Sequence, residues 1–214
     1  MTTAILIVHI LAGALALGMA GTAIGTTKGE IWHRRAGNTY VLSMLVVTLT
    51  TFALVAIRPN LFLLVIGIFS FYLVFTGWRA ALLRDGCPRW PDHLGGLAMA
   101  VTGLLMMGLG LRGLAGGGGA QPVILLVFGS IGLTMALSDW RDRRDWRAGP
   151  VAGKARVARH LTRMLAGTIA TITAAVVVNF TFLPALVTWL GPTALITPLI
   201  FWWSARIMRG SVSV

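Results

Sequence analysis

Four histidines, His9, His33, His93 and His160, are the residues of this chain best suited to chemistry. Imidazole ligates zinc, copper and haem iron and changes charge near neutral pH, so histidines in an otherwise inert chain mark candidate sites. His33, His93 and His160 each stand where a basic stretch gives way to an apolar one, and each precedes a run rich in small residues (AGNTY, LGGLAMA and MLAGTIA). Three imidazoles with an open fourth position would form a catalytic-type zinc site. Asp92 or Glu30 would orient them, in a hydrolase acting at a membrane surface. Alternatively, His93 and His160 on facing helices would hold a b-type haem. Gly95, Gly96, Ala166 and Gly167 would then leave room for the macrocycle, and Arg159 and Arg163 would pair its propionates. His9 stands alone near the other end of its segment, which disfavours a complete haem relay across the membrane. Against both readings, interfacial histidines often do no more than bond a neighbouring loop or a lipid phosphate.

Other chemistries find no support. Ser43, Ser70, Ser130 and Ser138 lack a nucleophile-elbow context, and neither H-E-x-x-H nor C-x-x-C occurs. No carboxylate falls in the middle of an apolar segment, which argues against a carboxylate-driven pump. The glycine-rich stretch 113–119 has no Lys-Ser/Thr continuation and reads as a flexible loop rather than a phosphate cradle.

The elements that must position the histidines are transmembrane helices. Apolar runs at roughly 4–25, 38–57, 61–83, 94–111, 122–138, 161–180 and 183–204 are each near the ~20 residues that span a bilayer. A mean hydropathy of +0.83 excludes an ordinary soluble domain. The expected architecture is all-α: residues 1–214 form a single seven-helix transmembrane domain. All 18 Lys and Arg residues except Arg58 and Arg112 fall on alternate connections. Positive charge marks the cytoplasmic side, so the N-terminus should lie outside and the C-terminus in the cytoplasm. Trp32, Trp78, Trp90, Trp140, Trp146, Trp202 and Trp203 fall at the same helix ends, where indole prefers the headgroup zone.

A net charge of +12 would suggest nucleic acid in a soluble chain. Here the charge is confined to membrane-proximal connections, so the partner it implies is an anionic inner leaflet, not nucleic acid. Residues 139–160 are expected to form the longest connection, with a short amphipathic piece on the inner leaflet broken at Gly149-Pro150. Residues 1–8 contain no Lys or Arg, so the first segment should stay as a helix rather than be cleaved as a signal. The single cysteine, Cys87, excludes an intrachain disulfide. Small residues at helical spacing (Gly13, Ala16, Ala20, Ala23 and Thr27 in the first segment; Gly96, Ala100, Gly103 and Gly110 in the fourth) should let helices approach closely in lipid.

Two stretches carry a family likeness. One runs from His9 through Gly13, Gly18 and Ala20 to Lys28, His33-Arg34, Gly37 and Tyr40. The other is His160, Arg163-Met164, Ala170, Thr173-Ala174 and Val178-Asn179. Together they resemble the bacterial membrane-protein family known as domain of unknown function 2306. The likeness spans most of the chain, with residues 55–90 and 111–150 contributing little. It implies an integral membrane protein and brings no established catalytic residues.

The favoured functional expectation is a haem- or metal-binding, redox-type protein of the bacterial inner membrane. It would use the cytoplasmic-side histidines, with haem b, zinc or another transition metal as cofactor. The alternative is a non-enzymatic small transporter, sensor or assembly partner whose histidines are structural or titrate. A second copy or another membrane protein is compatible as partner.

Overall fold

The computed structural model describes residues 2–144 and 151–210. These form seven helices: α1 (Thr2–Gly25), α2 (Ile31–Ile57), α3 (Leu61–Leu82), α4 (Trp90–Ala115), α5 (Ala120–Arg144), α6 (Gly153–Asn179) and α7 (Ala185–Arg209). Each is long and apolar enough to cross a bilayer. In hydrocarbon every backbone polar group must be satisfied within its own segment, which is why such apolar runs become helices. The chain is an all-α, polytopic membrane protein.

Local signals set the helix ends. Asn60 caps α3, its Oδ1 accepting the Leu63 amide at 3.1 Å. At the start of α4, Pro91 lies in the first turn and the Asp92 carboxylate accepts the Arg89 amide at 2.8 Å. α7 stops at Gly210, whose φ of 77° is a left-handed conformation that favours glycine.

Sequential neighbours pack as antiparallel pairs, α1 with α2, α4 with α5 and α6 with α7, while α3 is central and touches α2, α4, α5 and α6. One apolar cluster joins Val65, Phe69 and Leu73 of α3 to Met99 and Met106 of α4 and Phe128 of α5. A second joins Ala16 and Ala20 of α1 to Tyr40 and Met44 of α2 and Val74 of α3. Large apolar side chains such as Leu11, Leu97, Leu195 and Phe201 face outwards, as a lipid-contacting surface requires.

The small-residue stripes behave unequally. On α4, a Cβ at Gly110 would sit 2.8 Å from the Pro122 carbonyl oxygen, and one at Gly103 3.1 Å from that of Gly129, so α4 and α5 meet nearly backbone to backbone. On α1, Ala16 and Ala20 are buried, but nothing approaches Gly13.

Two expected segments need correction. α5 does not end at residue 138 but continues to Arg144, and α6 begins at Gly153 rather than 161. Residues 139–144 and 153–160 are therefore helix, not part of a surface-lying connection. The expected break at Gly149-Pro150 and the position of Trp146 lie outside the described residues. The cause is visible in the helix faces. On α5, Leu125, Phe128, Gly132, Ala136 and Asp139 recur at spacings of three and four and are all buried. On α6, Arg156, His160, Arg163, Gly167 and Thr171 do the same with partial to full burial. Charge enters an inward-facing stripe without ending the helix, because Asp139 and Arg163 neutralise each other inside the protein.

Tryptophan marks the basic end of the bundle. Trp32, Trp90, Trp140 and Trp202 are exposed there, and Trp78 donates its Nε1–H to Asn38 Oδ1 at 3.3 Å. Trp189, elsewhere, packs edge-on against Phe62 with ring centres 5.0 Å apart.

Candidate functional site

Near the basic end, the inward stripes of three helices change from apolar to polar and converge. α3 contributes Tyr72, Thr76 and Arg79 after Phe69; α5 contributes Asp139 after Ala136; α6 contributes Arg156, Arg159 and Arg163. Tyr72 donates its hydroxyl to Asp139 Oδ2 at 2.6 Å. Arg163 donates to Asp139 Oδ1 at 2.8 Å, to the Met135 carbonyl at 3.1 Å and to the Tyr72 oxygen at 3.2 Å. Its guanidinium also lies over the Tyr72 ring, 5.4 Å from the centroid. Tyr72, Asp139 and Arg163 are only 3–5% exposed. Both carboxylate oxygens are thus engaged and the buried charges cancel, which is the condition for holding an ion pair out of water.

The network widens outwards. Arg159 pairs with Asp142 and lies 3.9 Å from Asp139. Arg79 grips Asp92 through two parallel hydrogen bonds of 2.7 Å each, the fork geometry in which arginine is strongest. Between these groups an open cavity of about 50 Å³ is lined by Thr76, Arg79, Asp92, Asp139, Arg156 and Arg159, among others. Inward of Tyr72 the polar path gives way to Phe69, Leu73 and the cluster around Met99.

The histidines divide into three situations. His33 Nδ1 donates to the Ala23 carbonyl at 2.9 Å, and His160 Nδ1 donates to the Gly77 carbonyl at 2.8 Å. A carbonyl can only accept, so each neutral ring carries its proton on Nδ1 and keeps a lone pair on Nε2. The two rings are edge-on, with centres 6.4 Å apart. His93 is exposed on α4, which packs against α5 and α3. Among the described residues, no three His, Cys, Asp or Glu side chains are grouped so as to hold a metal ion. The structure therefore brings together His33 and His160 and leaves the expected third member outside the pair.

His9 is tied to α2 instead. Thr50 donates its hydroxyl to the Val46 and Val47 carbonyls of its own helix, so its oxygen accepts the His9 Nδ1–H at 2.9 Å. Beside His33, Lys28 caps the end of α1 through the Ala23 and Ile24 carbonyls, and partial burial lowers the pKa of its ammonium.

Part of the space and charge expected to accommodate haem has other neighbours in the structure. A Cβ on Gly95 would lie 3.2 Å from the Phe75 ring, and one on Gly167 would lie 2.6 Å from Val74 Cγ2 and 3.1 Å from the Tyr40 hydroxyl. Gly95 and Gly167 thus admit neighbouring side chains at these two positions. Arg163 and Arg159, read from the sequence as propionate partners, are committed to Asp139 and Asp142.

The Tyr72–Asp139–Arg163 core was not anticipated from the sequence. Two signals pointed to it: Asp139 falls three residues after Ala136 on the inward face of its helix, and Tyr72 is one of only two tyrosines. The other, Tyr40, is also buried, with its hydroxyl 3.2 Å from Thr171 Oγ1.

No family model, curated protein or solved structure matches this chain. The likeness to domain of unknown function 2306 rests on the two quoted stretches alone.

Proposed function

We propose that this is a multi-pass protein of the bacterial inner membrane, with its basic end in the cytoplasm, that binds a transition-metal ion on His33 and His160. The observation that carries the reading is the pair of Nδ1 hydrogen bonds to the Ala23 and Gly77 carbonyls. Such bonds fix the tautomer and orientation of metal-ligating histidines and raise the basicity of the other nitrogen. Two imidazoles sharing one ion at metal–nitrogen distances of about 2.0–2.1 Å have ring centres roughly 5 Å apart in a tetrahedral arrangement and about 6.5 Å apart in a linear one, and the observed 6.4 Å lies at the linear end. Met164, one turn after His160, brings its sulfur against Gly77, where an added Cβ would lie 2.9 Å from it. Imidazole with a nearby thioether favours copper over magnesium or calcium. An ion suits this packing better than haem, because a macrocycle would have to separate α3 from α6 at Gly77.

The test is metal analysis and titration of detergent-purified protein with copper(I), copper(II), zinc and iron(II). We expect one ion per chain, lost in His33→Ala and in His160→Ala and retained in His93→Ala. Retention of metal by both variants, or no uptake by well-folded wild-type protein, overturns the reading.

A second reading, a non-enzymatic transporter or sensor, is favoured by a separate observation. The polar network runs from Asp142 through Arg159, Asp139 and Arg163 to Tyr72 and stops there, as a half-channel open to the basic end would. Failure of metal binding would leave this reading as the better supported.

A further inference from the structure

The cavity at the basic end carries more positive charge than its own carboxylates neutralise. Its lining carries Arg79, Arg156 and Arg159 against Asp92 and Asp139, and counting Arg163 and Asp142, which are paired to that lining, gives four cations to three anions. Three of the arginines have carboxylate partners: Arg79 with Asp92, Arg159 with Asp142 and Arg163 with Asp139. Arg156 is different. Its Nη1 donates to the Ala80 and Ala81 carbonyls at the end of α3, both at 3.1 Å, and it forms no ion pair among the described residues. A guanidinium has five N–H donors in a planar fork. Those two bonds account for one nitrogen and leave the Nε–H and Nη2 donors without a partner among the described residues.

The carbonyl contacts also fix the orientation of the Arg156 fork, so little side-chain entropy is left to lose on binding. Leu83, Ala80, Pro88 and Val151 form apolar walls beside the arginines. Such walls reduce screening and strengthen a charge-assisted hydrogen bond.

We propose that this cavity is an oxyanion site in which Arg156, supported by Arg159 one turn further along α6, binds a phosphate group. The surplus charge, the oriented fork and the position at the basic end of the bundle suit a planar, bidentate contact with phosphate oxygens. The group could arrive as a free phosphate or as the headgroup of an anionic phospholipid, which present the same oxygens. The site is lined by different residues from the histidine pair, none of its lining residues being a histidine, although Arg156 lies one turn before His160 on α6.

The experiment uses the full chain purified in detergent, with two probes. The first is inorganic phosphate, read by the shift of the thermal unfolding midpoint against chloride at matched ionic strength. The second is phosphatidylglycerol, read by native mass spectrometry of lipid retained after exchange into neutral detergent. Arg156→Gln is compared with Arg156→Lys, which keeps the charge without the fork, and with Arg34→Gln, an exposed basic residue outside the cavity. A phosphate-specific shift weakened roughly tenfold in affinity by Arg156→Gln, less by Arg156→Lys and not by Arg34→Gln identifies a free-phosphate site. Retention of phosphatidylglycerol with the same variant pattern, without a phosphate shift, identifies a headgroup site. Absence of both signals in wild-type protein, or equal signals in wild-type protein and folded Arg156→Gln, overturns the proposal. The Arg156→Lys chain, whose charge count is unchanged, stands in if Arg156→Gln fails to fold.

Discussion

The Arg163 guanidinium of α6 and the Asp139 carboxylate of α5 lie 2.8 Å apart, with only 6% of either side chain exposed. Burial makes the pair strong in mutual attraction and costly in desolvation, and these two terms nearly cancel. Removing one partner leaves the desolvation without the attraction. Asp139→Asn or Arg163→Met should therefore destabilise the bundle by about 3–5 kcal/mol, whereas the double variant Asp139→Leu/Arg163→Met should recover much of the loss. Thermal unfolding in detergent checks this. Additive single-variant losses would show that the two side chains do not act as a pair.

Tyr72 supplies the hydrogen bond that satisfies the second oxygen of Asp139. Tyr72→Phe keeps the ring under the Arg163 guanidinium and removes that donor together with the oxygen that accepts from Arg163. The expected loss is about 1–3 kcal/mol, the cost of leaving a buried acceptor unsatisfied. A smaller loss in the Asp139→Asn background, measured as a double-mutant cycle, would confirm the contact. Equal losses in both backgrounds would contradict it.

Close packing of α6 depends on Gly167, where an added Cβ would lie 2.6 Å from Val74 Cγ2. Gly167→Ala should cost roughly 1–3 kcal/mol through overpacking. Gly21, on α1, has nothing within 4 Å of an added Cβ. Gly21→Ala should be neutral, or stabilising by up to about 1 kcal/mol from helix propensity. Comparable losses at the two sites would show that α6 does not approach α2 and α3 as described.

Orientation is testable at Cys87, the single cysteine, which is exposed in the connection between α3 and α4. With the basic end in the cytoplasm, a membrane-impermeant maleimide should label it in inverted vesicles and not in intact spheroplasts. The Cys87→Ser chain gives the background. Labelling in spheroplasts alone would reverse the topology.

The distribution of residue types along the chain was enough to determine the seven helices, because spanning a bilayer needs only length and hydropathy. It also marked Gly103 and Gly110 as positions of close helix approach, since small residues at helical spacing are a local pattern, while the structure decided that α5 is the helix that approaches. The same local logic failed at Asp139 and Arg163. A hydropathy reading ends a segment at a charge, whereas the energetic cost of that charge depends on what faces it. Asp139 and Arg163 are 24 positions apart, and Tyr72 lies 67 positions before Asp139. Only the packing of α3, α5 and α6 brings a donor to each carboxylate oxygen, and that decides whether the residues lie in the core or in a loop. The histidines follow the same rule. Their common position at the starts of alternate segments was legible in one dimension, but which rings meet is set by helix neighbours. His160 on α6 meets His33 on α2, and among the described residues no third His, Cys, Asp or Glu joins them in a group of three.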